Sequence, residues 1–122
     1  MTDAAGPLGW INYWKPKDEW HYLPAERRAA LLAVWDAIRG EAVAAGARRF
    51  GTYECRASAA WARVSLWEFP DLATLTRMVD ALSDAAYYQY FAEENAFGRR
   101  TEDPYANYMA AADATESFLE GA

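Results

Sequence analysis

The order in which strand-like and helix-like segments follow one another restricts the fold of this chain more than any other feature. Segments dense in aromatic and β-branched residues are typical of strands, and apolar residues at helical spacing are typical of helices. The predicted strands are residues 9–14, 50–56, 61–69 and 96–101, and the predicted helices are residues 24–45, a segment with an apolar stripe over 72–82, a further turn at 87–91 and a helix that begins at Asp103-Pro104. This order, β-α-β-β-α-β plus a C-terminal helix, predicts a ferredoxin-like α+β fold with an antiparallel sheet.

The third predicted strand carries bulky side chains on both of its faces. Trp67 and Phe69 point to one side, whereas Val64 and Leu66 point to the other. Helices on one side of a four-stranded sheet cover only one face, so the other face requires a partner surface. We therefore expect one α+β barrel domain over residues 1–122 that forms a homodimer through its sheets.

Charge and composition exclude several classes of partner. The chain has a net charge of −6 and an isoelectric point near 4.7, which disfavour nucleic acid and anionic lipid. No apolar run approaches the roughly 20 residues needed to cross a bilayer, so no membrane association is expected. Cys55 is the single cysteine and the N-terminal residues lack the pattern of a secretory signal, which together favour the cytoplasm.

Aromatic residues make up 16% of the chain and include six tryptophans and eight tyrosines. Such rings bury large areas, and tryptophan and tyrosine also carry a polar group that needs a partner when it is buried. Two interpretations remain open at this point. The rings form either an aromatic core or dimer interface, or the walls of a pocket for a flat ligand.

Two segments of the sequence carry a resemblance to a known superfamily. The third strand ends in Trp67-Glu68-Phe69-Pro70-Asp71, and the helix after it is followed by the ring-rich Tyr87-Tyr88-Gln89-Tyr90-Phe91. In outline, residues 9–101 resemble the dimeric α+β barrel proteins, which include antibiotic-biosynthesis monooxygenases and small polyketide cyclases. Trp14-x-Pro16, Trp20, Arg27 and the segment from Tyr90 to Gly98 also resemble a small group of uncharacterised proteins of this fold.

The resemblance implies a ligand cavity between the concave face of the sheet and the helices. Cofactor-free members of the superfamily act on extended aromatic substrates, which Trp, Tyr, His, Asn or Arg side chains hold and polarise. The superfamily also contains haem proteins, which have longer chains and an axial histidine in a different context. A hydrophobic small-molecule ligand is therefore the expected partner of this chain.

Three residues are candidates for acid–base catalysis. His21 is the only histidine and lies in an aromatic loop, and histidine is a common general acid or base; a surface or packing role is the alternative. Glu68 would be desolvated if its side of the strand faced the helices, and would be an ordinary carboxylate if it faced water. Tyr53 lies on one face of the second strand and supplies a phenol to a ligand if that face points at the cavity.

Five residues are candidates for substrate binding. Asn12 would hydrogen-bond a ligand carbonyl or phenolate, while Trp14 and Trp67 would form stacking walls. Tyr90 and Asn95 lie in the segment that carries the resemblance. The alternative for the first three is a packed core in which their polar groups bond to backbone, and the alternative for the region around Asn95 is a solvated rim or a dimer contact.

Several common sites are absent from the sequence. It contains no G-x-G-x-x-G, P-loop, G-x-S-x-G or C-x-x-C pattern, and one histidine cannot supply the sites of most catalytic metals. We therefore expect no cofactor and no metal, and a cofactor-independent enzyme that cyclises, isomerises or oxygenates an aromatic or polyketide-like molecule, as in biosynthesis. The alternatives are a binding or accessory protein without chemistry, and a structural dimer without a pocket.

Overall fold

The structure, a computed structural model, describes residues 7–105 and 108. Its elements follow one another in the predicted order, with one short helix added near the start. They are β1 (Leu8–Pro16), α1 (Asp18–His21), α2 (Ala25–Ala44), β2 (Arg48–Glu54), β3 (Arg63–Phe69), α3 (Leu72–Asp84), α4 (Tyr87–Tyr90) and β4 (Phe91–Arg99). The predicted C-terminal helix after Asp103-Pro104 lies almost wholly outside the described residues.

The four strands form one antiparallel sheet with the order β2-β3-β1-β4. The first and last strands of the chain, β1 and β4, pair with each other. The two central strands of the sheet are β1 and β3. This is the ferredoxin-like arrangement, so the predicted α+β fold class is confirmed.

The sheet has two unlike faces. On the helix-side face, Trp10 and Asn12 of β1 and Trp67 and Phe69 of β3 are buried. On the opposite face, which we call the open face, Ile11 is exposed and Leu66 is half-buried. Side chains alternate between faces along a strand, so every residue of β1 and β3 is assigned to a face by its parity.

Helix α2 closes the helix-side face through its buried positions Leu31, Trp35 and Ala42. Pro24 precedes its first turn, where a missing N–H costs nothing, and the helix stops at Gly46, which adopts φ +112°. A Cβ at Gly46 would lie 3.2 Å from Pro70 Cγ, so this turn also packs closely against the end of β3. The predicted start and end of this helix are confirmed.

Trp35 is the centre of the core, with 1% of its surface exposed. Its Nε1 donates to the Ala85 carbonyl oxygen at 3.0 Å, so the buried indole N–H is satisfied. The rings of Trp20, Tyr87 and Phe91 surround it at centroid distances of 5.6, 5.1 and 5.6 Å. Because Trp20 belongs to α1, this contact explains the short helix that the sequence pattern alone did not indicate.

The boundary between α4 and β4 differs from the prediction. Residues 87–90 form the expected short turn of helix, but the chain becomes extended at Phe91, five residues earlier than the strand predicted at Ala96. The longer strand pairs with β1 from Leu8↔Arg99 to Pro16↔Phe91. Tertiary pairing with β1 outweighs the weak strand propensity of Glu93, Glu94 and Asn95.

The two outer strands end the sheet in different ways. In β2 the register shifts between Arg49 and Gly51, so Phe50 forms a bulge, and all seven residues of this strand are exposed. In β4, the residues from Glu94 to Arg99 are exposed. No helix within the described residues is both long and apolar enough to span a bilayer.

Candidate functional site

Four polar side chains lie in one row across the helix-side face of the sheet. The pairings Thr52↔Ser65, Ser65↔Asn12 and Asn12↔Asn95 place one of them on each strand. Asn12 and Ser65 are 5% and 7% exposed, respectively. Polar groups in a buried, aromatic face require partners or a function, so we name these four residues the polar row.

Hydrogen bonds divide the polar row into two halves. In the first, Ser65 Oγ accepts from Trp14 Nε1 at 3.0 Å and shares a hydrogen bond of 2.8 Å with Thr52 Oγ1. In the second, Asn95 Oδ1 accepts from Trp10 Nε1 at 2.8 Å and from Asn12 Nδ2 at 2.7 Å. No hydrogen bond between described residues joins Ser65 to Asn12, so the row is open at its centre.

Aromatic rings border the polar row on the sheet and on the helices above it. Trp67 stacks on Phe69 at 5.4 Å, and Trp10 lies 6.1 Å from Trp67. Phe91 meets Trp14 edge to face at 5.8 Å. These tilted and stacked pairs are favourable geometries for aromatic rings, and they fix the walls around the polar groups.

A groove of about 210 Å³ lies between these rings, the polar row and helix α2. Its floor includes Asn12 and Ser65, where the polar row is open. The residues that line it are Trp10, Asn12, Trp14, Leu32, Trp35, Asp36, Arg39, Arg49, Thr52, Ser65, Trp67, Tyr87 and Phe91. We refer to this space as the helix-side groove.

Glu93 is a largely buried carboxyl group next to the polar row. Burial raises its pKa, while hydrogen bonds from Asn12, Asn95 and Tyr88 and the charge of Arg39 act in the opposite direction. The contact with Asn95 Nδ2 is 3.4 Å long. Because Asn12 also lines the groove, Glu93 is linked to the groove floor through a single side chain.

Two tyrosines lie on the α4 side of this carboxyl group. Burial raises the pKa of both the Tyr87 and the Tyr88 phenol, and the negative charge of Glu93 acts in the same direction. Tyr88 donates to Glu93, and the Arg39 guanidinium lies 5.1 Å from the ring centroid of Tyr87. Both phenols therefore stay neutral at ordinary pH and act as hydrogen-bond donors.

The structure brings together most of the predicted substrate-binding residues. Asn12, Trp14 and Trp67 line the helix-side groove, and Asn95 is hydrogen-bonded to Asn12. Tyr90 instead packs against Trp20 and Trp35 at 6.1 and 6.5 Å, outside the set that lines the groove. The two amide hydrogens of Asn12 point to Asn95 and Glu93, so its carbonyl oxygen is the atom left for a ligand.

The three predicted catalytic residues lie away from the groove. His21 is exposed at the end of α1. Tyr53 pairs with Val64 on the open face and is 58% exposed. Glu68 also points to the open face, where it forms ion pairs with Arg48 at 3.7 Å and Arg100 at 3.5 Å. The condition under which Glu68 would be desolvated by the helices is therefore not met.

Sequence reasoning missed Glu93 and the pair Thr52 and Ser65. Glu93 falls in a polar segment ahead of the predicted fourth strand, because the sequence pattern starts that strand at Ala96. A strand extended back to Phe91 places Phe91, Glu93 and Asn95 on one face. Ser65 shares the parity of Trp67 and Phe69, and this alternation was the available signal for a polar residue on the buried face.

Comparison with known protein families identifies a family for this chain but gives no activity. The sequence matches DUF6616, described as a family of unknown function, over residues 9–112. The chain belongs to DUF6616. No curated protein sequence resembles this DUF6616 chain closely enough to count as a relative.

Solved structures similar to this DUF6616 chain include chlorite dismutase-like proteins. An arginine variant of chlorite dismutase from Candidatus Nitrospira defluvii has a TM-score of 0.69 and 14% identity, and the match covers 84% of this chain and 44% of that one. A heme-binding protein from Thermus thermophilus has a TM-score of 0.62 and 17% identity, with 84% and 47% covered. This chain therefore spans less than half the length of these structures, and at such identities the likeness shows the fold.

Proposed function

We propose that this chain binds a flat, hydrophobic small molecule in the helix-side groove. The observation that carries the proposal is the polar row, which is open at Ser65 and Asn12 on an otherwise aromatic, buried face. A core built only for stability gains little from two buried polar side chains at the floor of a groove, because each must be desolvated. A ligand that meets them there repays this cost.

The unused hydrogen-bonding groups of the groove floor define which donor and acceptor groups the ligand must have. Asn12 Oδ1 accepts no hydrogen bond from a described residue, so it takes a ligand O–H or N–H. Ser65 and Thr52 share one hydrogen bond, which leaves one hydroxyl hydrogen for a ligand oxygen. The volume of about 210 Å³ is below the roughly 300–1,000 Å³ of pockets for drug-sized molecules, which favours one or two fused rings.

A screen of planar one- and two-ring compounds tests this proposal. Saturation-transfer NMR would detect binding to the wild-type protein, and Trp67→Ala and Ser65→Val would remove one wall and the central hydroxyl. We expect both variants to weaken every hit. Tyr22→Ala, which alters a ring that is 84% exposed and does not line the groove, is the matched control and should leave binding unchanged. Hits that survive both groove variants would place the site elsewhere and contradict the proposal.

Glu93 favours a second candidate, a cofactor-independent enzyme that transfers a proton during cyclisation or isomerisation. Its raised pKa brings a carboxyl group closer to working pH, and Asn12 connects it to the groove floor. This chemistry agrees with the resemblance to polyketide cyclases and antibiotic-biosynthesis monooxygenases. Once a hit from the screen is found to react, Glu93→Gln should abolish turnover while binding persists, and unchanged turnover would exclude this role.

Haem does not fit the groove residues. Proteins hold haem iron through His, Cys, Met or Tyr. Of the described residues that line the groove, only Tyr87 is of such a type, and its raised pKa disfavours the phenolate that would bind iron. His21 is exposed on α1, outside the groove. The heme-binding property of the Thermus thermophilus protein is therefore not carried to this chain.

We further propose that two copies pair through their open faces. Ile11, Phe50 and Tyr53 leave 41%, 51% and 58% of their surfaces exposed there, next to the half-buried Val64 and Leu66. A shallow depression of about 510 Å³ lies on the same side of the sheet. Two copies of this chain also match the length of one chlorite dismutase-like structure, of which a single copy covers less than half.

A further inference from the structure

Two arginines reach the helix-side groove from opposite sides. Arg39 extends from α2, with its guanidinium 5.1 Å from the ring centroid of Tyr87. Arg49 extends from β2, with its guanidinium 4.9 Å from the ring centroid of Trp67. A guanidinium that lies over an aromatic ring keeps its N–H groups directed outward in its own plane, where they can bind an anion.

These two arginines differ in their partners from four other arginines of the described residues. The ion pairs between described residues engage Arg48 and Arg100 with Glu68, and Arg56 and Arg63 with Glu54. Arg39 and Arg49 form no such pair with a described carboxylate. Arg39 donates to the Tyr87 phenol and acts on Glu93 through its charge. Because a guanidinium has five N–H donors, both arginines still have N–H groups to offer a ligand in the groove.

The charge balance of the groove is opposite in sign to that of the whole chain. Asp36 is the one acidic residue among the described residues that line it, against Arg39 and Arg49. Glu93 faces Arg39 from β4 but does not belong to the residues that line the groove. In a chain of net charge −6, the described residues that line the groove thus carry one more positive than negative charge.

From this arrangement we infer that the ligand of the helix-side groove is an aromatic acid of one or two fused rings, with its carboxylate held by Arg39 and Arg49. The inference rests on the proposed function and specifies its substrate class. The rings lie against Trp67, and a second polar substituent meets Asn12 and Ser65 at the open centre of the polar row. A planar guanidinium fork matches a carboxylate in geometry, which lysine would not do.

Calorimetric titration with matched acids and amides tests the inference. The probes are 2-naphthoate and benzoate with their neutral isosteres 2-naphthamide and benzamide. We expect an acid to bind at least about tenfold more tightly than its amide, and Arg39→Gln and Arg49→Gln each to lower that affinity about tenfold. Arg27→Gln, an exposed position on the same helix as Arg39, is the control and should bind like wild type.

The outcomes separate this inference from the function on which it rests. If amides bind as tightly as acids and both groove arginine variants behave like wild type, the acid assignment is wrong while the binding site stands. If no acid and no amide binds the folded wild-type protein while the screen finds other planar compounds in the groove, the acid assignment is wrong. If the screen finds none either, the proposed function fails as well. Added salt should weaken binding of the acid and leave binding of the amide unchanged, which distinguishes ion pairing from a change in groove shape.

Discussion

At Glu93, burial and hydrogen bonding act on the same carboxyl group in opposite directions. Desolvation raises its pKa, and the bonds from Asn12, Asn95 and Tyr88 offset part of that effect. The neighbouring charged and titratable groups are Arg39 of α2 and Tyr87 and Tyr88 of α4. Glu93 therefore has two roles, a hydrogen bond with Asn12 and a carboxyl group with a raised pKa. The two roles can be measured separately.

The raised pKa makes the stability of the protein depend on pH in a defined direction. A carboxyl group that holds its proton more tightly when folded contributes stability that is fully present below its ordinary pKa of 4.5 and is lost as pH rises through the folded pKa. Glutamine does not ionise, so the Glu93→Gln variant does not lose this stability as pH rises. We expect the melting temperature of the variant, relative to wild type, to rise between pH 4 and pH 7.5.

Glu94→Gln is the matched control for this measurement, because Glu94 is the next residue of β4 and lies exposed on the other face. Its melting temperature relative to wild type should not follow the same trend. A Glu93→Gln difference that is constant across the pH range would show that the carboxyl group titrates alike in the folded and unfolded chain.

Ser65 is the second residue whose replacement has a predictable result. Ser65→Ala removes the acceptor of Trp14 Nε1 and the partner of Thr52 Oγ1. An unpaired buried donor costs about 1–3 kcal/mol, so we expect the free energy of unfolding in urea to fall by about that amount. Ser83→Ala, at an exposed position of α3, should change it by less than about 0.5 kcal/mol. If both substitutions lower the free energy of unfolding equally, the hydroxyl of Ser65 does not stabilise the fold.

At the scale of elements, α3 shows how fully a local signal can determine a structure. Pro70-Asp71 predicts a helix start, and Asp71 Oδ1 accepts from both the Thr74 N–H and the Thr74 hydroxyl at 2.7 Å. These bonds, first that of the Thr74 side chain and then that of its backbone, lower the pKa of Asp71. The helix begins at Leu72, as the sequence indicates.

This cap predicts a loss of stability in acid. The stabilisation from Asp71 is present above its ordinary pKa of 3.8 and is lost as pH falls through the lowered folded pKa. Asp71→Ala should lower the melting temperature at pH 7, whereas Asp71→Asn should retain the cap and lose less stability than wild type between pH 5 and pH 2. Asp80→Asn, exposed on the same helix, is the control. An Asp71→Ala protein as stable as wild type at pH 7 would mean that the cap is dispensable.

Helices α2 and α3 and the central strands followed from the sequence because their signals are local, whereas α1 and the full length of β4 did not. Glu93, Glu94 and Asn95 have low strand propensity, and they are extended because β1 pairs with them along its full length. That error also hid Glu93 from the candidate site. The catalytic predictions for His21, Tyr53 and Glu68 rested on residue type, whereas the groove depends on which face of the sheet the helices cover, a property of tertiary structure.

At the scale of the whole molecule, the open face is the surface that the described residues leave uncovered. If two copies pair there, Tyr53→Asp and Leu66→Asp place charges in an apolar contact and should convert the dimer to a monomer. Light scattering after size-exclusion chromatography measures this directly. Val34→Asp, exposed on α2, should remain dimeric. A wild-type protein that is monomeric at a concentration on the order of 100 µM, far above the micromolar Kd range of ordinary stable pairs, would contradict the pairing.

The bulge at Phe50 affects how the β2 edge of the sheet can pair with other molecules. A strand interrupted by a bulge and flanked by Arg48 and Arg49 is a poor template for a strand from another molecule. Growth along this edge of the sheet is thereby disfavoured, whereas the proposed pairing through the open faces would be complete once two molecules meet. At the β2 edge of the sheet, the irregular residue Phe50 thus disfavours the strand-by-strand addition of further molecules from which fibres grow.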